Sequence, residues 1–254
     1  MQRAYVVTGS ASGIGRATRE RLEAGGARVI GVDRSDCEIT ADLSDPDGRR
    51  SIVERVAELT GGSLDAVIAC AGLGGTGGEV VRVNYFGAVS IVVGLQPLLA
   101  SSPAPRAVVV ASIGITATVY DALVDACLEG DEAGAVAIAD LNPEVPVYTS
   151  TKRALARWVR RAAPQPAWAG QGIPLNAVGP GLIQTPMTSA FLADPEMRQI
   201  LRTSMPQPLV WPGQPEHVAP ALEWLTSVDN AMITGQCLFV DGGLDALRRG
   251  DNIW

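Results

Sequence analysis

Arg3-Ala4-Tyr5-Val6-Val7-Thr8, followed at once by Gly9-Ser10-Ala11-Ser12-Gly13-Ile14-Gly15, is the stretch that decides the fold. The first six residues are short, apolar and β-branched, which predicts a buried parallel strand. Gly13 to Glu23 then reads as a helix that stops at Gly25-Gly26. A glycine turn between a strand and a helix is a phosphate cradle. Missing side chains let the backbone approach a pyrophosphate, and the free N–H groups of the helix's first turn favour negative charge. Gly9, Ser12, Gly13, Ile14 and Gly15 are the candidates for that contact. The spacing is Gly-x-x-x-Gly-x-Gly, and loop punctuation is the competing reading of the same glycines.

The next strand, Arg28 to Val32, ends at Asp33, where a carboxylate can accept hydrogen bonds from an adenosine ribose. The same carboxylate repels a 2′-phosphate, so NAD is expected over NADP. Arg34 argues the other way, since a guanidinium beside the ribose can bind that phosphate, but no basic residue lies in the glycine turn to help it. Asp33 also fits a strand-ending turn residue.

Downstream, Tyr148 and Lys152 are spaced i, i+4 in a segment, Tyr148 to Ala162, able to form one helix. Phenol and ammonium then share a face. A free tyrosine titrates near pH 10, and a neighbouring cation favours the phenolate, so the pair predicts a phenol with a depressed pKa serving as acid or base. Alone, this spacing describes many ordinary helix surfaces. Its weight comes from Ser112, placed at the carboxyl end of another apolar strand, Arg106 to Ala111, on the edge where open parallel sheets bind ligands. Ser112 also suits a turn or helix cap.

With these residues the chain resembles the classical short-chain dehydrogenases/reductases from Arg3 to about Ala246. Further matching stretches are Asp42-Leu43, Ala69-Cys70-Ala71-Gly72, Val83-Asn84-Tyr85-Phe86-Gly87, Asn176-Ala177-Val178-Gly179-Pro180-Gly181 and Asp241-Gly242-Gly243. The resemblance implies that Tyr148 is the general acid/base, that Ser112 orients the substrate oxygen, and that Lys152 lowers the tyrosine pKa and holds a ribose. It further implies that Asn84 helps organise a proton-relay water and that Asp42 and Leu43 flank the adenine. Cys70, Ala71 and Gly72 would line the cofactor, and Pro180, Gly181, Ile183 and Thr185 its nicotinamide end. Several of these stretches, with Asp241-Gly242-Gly243-Leu244-Asp245-Ala246, are similar to the 3-alpha-hydroxysteroid dehydrogenase/carbonyl reductase branch.

Two departures stand out. The family's usual Asn-Asn-Ala-Gly is Ala69-Cys70-Ala71-Gly72 here, a thiol in place of an amide. Ser112 and Tyr148 are also unusually far apart, which places an insertion at about 117–144. Within it Tyr120, Leu123, Val124, Cys127 and Leu128 follow the i, i+3, i+4, i+7, i+8 template of an amphipathic helix. Its apolar stripe can face the chain's own domain, a second subunit or the substrate cleft.

Strands at Leu64 to Ala69, Ile173 to Val178 and Gln236 to Val240, with helices beginning near Pro46, Glu79 and Pro215, complete an α/β alternation. The expected fold is α/β, a single domain over 1–254: a doubly wound, Rossmann-like parallel sheet with helices on both faces. A net charge of −7 opposes nucleic-acid binding. No uninterrupted apolar run spans a bilayer, and the first strand begins near Met1, so no membrane partner and a cytoplasmic location are expected. Four scattered cysteines and a lone His217 offer no metal site and no Ser-His-Asp triad.

The implied reaction is interconversion of a secondary alcohol and a ketone. The segment at about 188–212, with the neighbouring Met187, carries Phe191, Leu192, Met205, Pro206, Pro208 and Trp211, an apolar wall suited to a steroid, alicyclic or terpenoid substrate, or else a packed surface excursion. A non-catalytic dinucleotide sensor or scaffold, and an epimerase or dehydratase retaining its cofactor, are the rival functions. The resemblance implies a homodimer or homotetramer, with one usual contact open to obstruction by the insertion.

Overall fold

β1 (Ala4–Thr8) is apolar on both faces because it lies inside a parallel sheet covered on both sides. The computed structural model describes residues 2–251 and 253. Around β1 a seven-stranded sheet runs in the order β3-β2-β1-β4-β5-β6-β7, with every neighbouring pair parallel. The other strands are β2 (Arg28–Asp33), β3 (Ile39–Thr40), β4 (Ala66–Ala69), β5 (Arg106–Val110), β6 (Leu175–Pro180) and β7 (Cys237–Val240). Strand order reverses between β1 and β4. Parallel strands need crossovers, and where their direction of travel changes a crevice opens at the carboxyl ends.

The first crossovers are α1 (Gly13–Ala24), α2 (Pro46–Thr60) and a long helical run made of α3 (Gly78–Val81), a π-helical turn at Arg82–Gly87, α4 (Ala88–Gly94) and α5 (Gln96–Ala100). The run Gly78–Ala100 has a mean hydropathy of 1.5 over its most apolar window, long and apolar enough on those grounds alone to cross a membrane. Over half of that window is buried inside the fold, where Val81, Ile91, Val92, Leu95 and Leu99 pack into the core. Glu79 and Arg82 interrupt it.

After β5 come a 3-10 turn (Ile113–Thr116), α6 (Asp121–Glu129), α7 (Glu132–Leu141) and α8 (Val147–Ala162). Then follow α9 (Pro186–Ala193), α10 (Pro195–Ser204), α11 (Pro215–Thr226) and α12 (Leu244–Arg249). Two apolar clusters flank the sheet. One gathers Val6, Ile30, Val67, Val109 and Leu175 with the α2, α4 and α8 side. The other gathers Val7, Ile68, Val108 and Val178 with Leu22, Val218 and Leu222 of α1 and α11. Each such side chain contributes about 1.5–3 kcal/mol by leaving water.

The insertion is helical as expected, and its stripe faces the chain's own domain. Leu123, Val124 and Cys127 are fully buried, and α6 packs on α8. Tyr120 falls just outside the helix and is exposed, because the chain enters α6 there in extended conformation. The second helix of the insertion, α7, packs on α3 and is an addition to the sequence reading. So is the two-residue strand β3. The 188–212 segment is largely two short helices, each opened by a proline after a cap: Thr185 before Pro186, and Asp194 before Pro195.

Candidate active site

Glycine geometry shapes the first wall. β1 ends at Thr8, Gly9 donates its N–H to Val32 at 2.8 Å, and φ at Gly9 is +69°, in the left-handed region. A Cβ at Gly9 would lie 2.9 Å from the Ala71 backbone, and one at Gly15 would drive into the carbonyl oxygen of Gly9. Only hydrogen fits at either position. At the start of α1 Ser12 makes no side-chain cap, and no acidic residue occupies the first turn, so the helix's N–H groups and positive dipole end stay available to an anion.

A cleft of about 550 Å³ opens above the sheet. Gly9, Ser12, Gly13, Ile14, Gly15, Arg34, Cys70, Ala71, Gly72, Ser112, Tyr148, Lys152, Pro180, Gly181, Ile183 and Thr185 all line it. A smaller hollow of about 140 Å³ shares Gly9, Ser12 and Arg34 with the main cleft and adds Asp33, Asp42 and Leu43. Asn84 lines neither. The structure therefore brings every sequence-derived candidate except Asn84 to one continuous crevice at the strand ends.

β5 delivers Ser112, whose Oγ accepts the Gly114 N–H at 3.0 Å and so caps the 3-10 turn. α8 delivers Tyr148 and Lys152 from one face. A Cβ built on Gly114 would meet Ser112 Oγ at 3.2 Å and Tyr148 Cε1 at 3.6 Å, so hydroxyl and phenol border the same small space. Lys152 is buried. Its Nζ lies 6.0 Å from the centre of the Tyr148 ring and donates to the Val110 carbonyl at 2.8 Å. Cys70 and Ala71 both give their N–H groups to Thr8 Oγ1, at 3.1 and 3.0 Å, which ties the ends of β1 and β4 together without a side-chain amide.

One electrostatic expectation is corrected. Burial raises the Tyr148 pKa above its ordinary value, with Ser112 pulling the other way. Burial also pushes Lys152 down to about 8, with the nearby Cys70 opposing it. Both charged forms lose water on burial, and that loss is the largest cause of each shift. The Cys70 thiol is itself pushed up to about 12 by burial, opposed by Lys152, which keeps it protonated and unreactive.

Asn84 is fully buried, and its amide is spent on the next loop: Oδ1 accepts from Leu73 N at 2.7 Å and Nδ2 donates to Leu73 O at 2.9 Å. A Cβ on Gly72 would lie 3.2 Å from Asn84 Oδ1 and 3.3 Å from Lys152 Nζ, so the amide stands directly behind the lysine. It braces the floor of the cleft and does not face it.

Leu73, Gly74, Gly75 and Thr188 line the main cleft, and Glu79 and Val83 the smaller one, beyond the sequence-derived set. The glycine-rich run after Gly72 carried a usable signal, since bare backbone next to a cradle permits close approach. Met187 and Phe191, both substantially exposed, give the same cleft as Tyr148 an apolar lining. His217 only caps α11, accepting the Gln214 N–H on Nδ1 at 3.0 Å. All four cysteines are free thiols, and no metal-binding cluster occurs among the described residues.

Known proteins resemble this chain over nearly its whole length. Residues 3–122 match the short chain dehydrogenase family model, and residues 133–245 match the model described as enoyl-(acyl carrier protein) reductase. The chain is 35% identical over 252 residues to a 3-alpha-hydroxysteroid dehydrogenase/carbonyl reductase of Comamonas testosteroni, covering 96% of this chain and 97% of the relative. It is 30% identical to a 3beta-hydroxysteroid dehydrogenase 1 of Eggerthella lenta, over 94% and 92% of the two chains. A crystal structure of the 3-alpha-hydroxysteroid dehydrogenase from Pseudomonas sp. B-0831 complexed with NADH superposes with a TM-score of 0.91 at 40% identity, covering 98% of this chain and 99% of that one. On these grounds the chain belongs to the short-chain dehydrogenase/reductase family of oxidoreductases.

Proposed function

We propose that this protein interconverts a secondary alcohol and a ketone on an apolar substrate of steroid, alicyclic or terpenoid type, with NAD as the favoured cofactor. The observation that carries the reading is the meeting of Ser112, Tyr148 and Lys152 on the wall of a crevice whose other end is a side-chain-free anion cradle. Gly9 to Gly15 fit a pyrophosphate and Asp33 fits a ribose diol; a nicotinamide dinucleotide, when bound, supplies the hydride donor or acceptor and, oxidised, a positively charged ring. Asp33 is held for that task, its two oxygens accepting from Ala11 N at 2.9 Å and Arg34 N at 2.7 Å.

Within that frame the chain's own residues handle the proton. Ser112 Oγ orients the substrate oxygen toward the phenol. In oxidation the hydroxyl proton passes to Tyr148, and in reduction Tyr148 returns it. At neutral pH the buried phenol is protonated, the form a ketone needs. Lys152 contributes positive charge beneath the ring and a donor toward the cleft. Met187 and Phe191 offer apolar surface to the body of the substrate.

Relatives that are hydroxysteroid dehydrogenases support the substrate class. The chain's free thiols and buried apolar helices support a cytoplasmic location. We also expect two or four copies to associate, with α6 and α7 covering part of α8 and α3, and the exposed Leu238, Met232 and Trp224 beside the edge strand β7 remaining for contact. Light scattering measures that. The deciding experiment follows reduced-nicotinamide absorbance with a panel of alcohols and ketones, once with each dinucleotide. Turnover of bulky apolar alcohols with NAD is the expected result. Tight dinucleotide binding with no alcohol-dependent change would instead identify a sensor, and product formation without net reduced cofactor an epimerase or dehydratase.

A further inference from the structure

The insertion reaches the cofactor crevice from behind. Glu132, first residue of α7, grips the buried guanidinium of Arg49 in a bidentate pair, Oε1 to Nη2 at 2.7 Å and Oε2 to Nη1 at 2.8 Å. Other bonds from Arg49 go to backbone carbonyls: Nε to Leu43 at 2.6 Å, and Nη2 to Arg82 at 3.1 Å and Ser44 at 3.4 Å. Leu43 belongs to the smaller hollow beyond Asp33, the adenosine end of a dinucleotide lying in this crevice. From the other end of α7, Asp140 Oδ1 accepts the Gly78 N–H at 2.6 Å, at the start of the helix that carries Glu79 into the same hollow. Both walls of the adenosine end are thus hydrogen-bonded, directly or through one arginine, to one inserted helix.

We infer that Glu132, acting through Arg49, is a positioning residue for the adenosine half of the cofactor, and that the insertion serves as a rear brace for that half of the site. A rigid guanidinium fork whose three nitrogens bond one carboxylate and three carbonyls holds its partners in one geometry. Releasing the carboxylate frees Arg49 to reorient, and the Leu43–Ser44 loop loses its anchor. A loop ordered before binding costs less to order on binding, so the brace appears as affinity for the adenosine moiety. Among the described residues, Ser112, Tyr148 and Lys152 share no hydrogen bond with this network. The inference rests on reading the crevice as a dinucleotide site.

The test is calorimetric titration with ADP-ribose, which carries the adenosine end and lacks the nicotinamide, alongside steady-state kinetics. Glu132→Gln keeps size and removes charge. The double variant Arg49→Met with Glu132→Leu removes the pair together, avoiding a lone buried charge. Glu129→Gln, an exposed carboxylate on the same insertion, is the control. Expected are a rise of about tenfold in the ADP-ribose Kd and in KM for the dinucleotide for both Glu132 variants, with kcat at saturating dinucleotide and KM for the alcohol within about twofold of the parent, and no change for the control. An unchanged ADP-ribose Kd in folded variants, by circular dichroism melting, overturns the brace. A fall in kcat with KM unchanged also overturns it, since that marks a general structural role. If the parent protein binds no ADP-ribose at all, the dinucleotide reading itself fails.

Discussion

Lys152 gives its buried ammonium to the backbone carbonyl of Val110 at 2.8 Å, a neutral partner in place of a carboxylate. Charge is therefore kept near the phenol without being cancelled. Keeping it there is costly: burial lowers the lysine pKa to about 8, so the charged form loses on the order of 3 kcal/mol relative to the unfolded chain. The folded pKa lies below the unfolded one. The penalty is complete below pH 8 and is relieved as pH rises from about 8 toward the ordinary lysine value. Lys152→Met also gives up the bond to Val110, which offsets about 1–2 kcal/mol of that relief, so it is expected to raise Tm by about 2–8 °C at pH 7, an advantage that vanishes near pH 10, while turnover falls about 100-fold or more. Thermal melts at both pH values, with steady-state rates at pH 7, check both halves.

Tyr148→Phe separates proton transfer from binding. The phenol oxygen is the only group removed, and ring packing on α8 is kept. Alcohol oxidation by the parent should climb with pH, because the proton acceptor is the phenolate and burial holds the free phenol's pKa above its ordinary value. Ketone reduction should decline over the same interval. The variant is expected to lose about 100- to 10,000-fold in kcat and the pH dependence with it, while ADP-ribose and NADH affinity stay unchanged. Near-parental turnover in that variant would remove Tyr148 from its assigned role.

Cofactor choice turns on charge at Asp33. Its two oxygens hold the Ala11 and Arg34 N–H groups, so Asp33→Asn keeps one of those acceptors for the loop and gives up the other together with the negative charge. Repulsion of a 2′-phosphate is then gone, and Arg34, exposed at the rim of both hollows, remains to attract it. The ratio of kcat/KM for NAD over NADP should fall by about tenfold or more, measured with one alcohol and the two dinucleotides.

The sheet was legible because most of its strands are continuous apolar runs, and the reactive trio because helical spacing and strand ends fix where Ser112, Tyr148 and Lys152 project. What escaped has physical reasons. β3 is two residues, too short for any periodicity. α7, Glu-Ala-Gly-Ala-Val-Ala-Ile-Ala-Asp-Leu, is small and apolar nearly all round, so no stripe marks it. The 188–212 segment read as an apolar wall or surface excursion, yet much of it is helical, with Pro186 and Pro195 each sitting where a helix tolerates proline best. Spacing said nothing of burial, and burial decided the tyrosine and lysine pKa directions. The resemblance assigned Asn84 to a proton-relay water; in the fold its amide is committed to Leu73, a pairing that only the tertiary structure reveals.

The same helices bear on substrate choice. Phe191 on α9 is 52% exposed and Met187 is 42% exposed, both against the cleft that holds Tyr148 and Ser112. Exposed apolar side chains inside a crevice lose their contact with water only when a ligand covers them. Full burial of a phenyl group is worth about 1.5–3 kcal/mol, so Phe191→Ala should lower kcat/KM for a bulky alicyclic or steroid alcohol by about 10- to 100-fold. A short alcohol such as 2-propanol never reaches that wall, and its kcat/KM should change by less than about twofold. Stability should hold, since the ring contributes little to the core. Comparing the two substrates on parent and variant reads the difference directly, and equal losses on both would show that Phe191 shapes the catalytic geometry and not the apolar pocket.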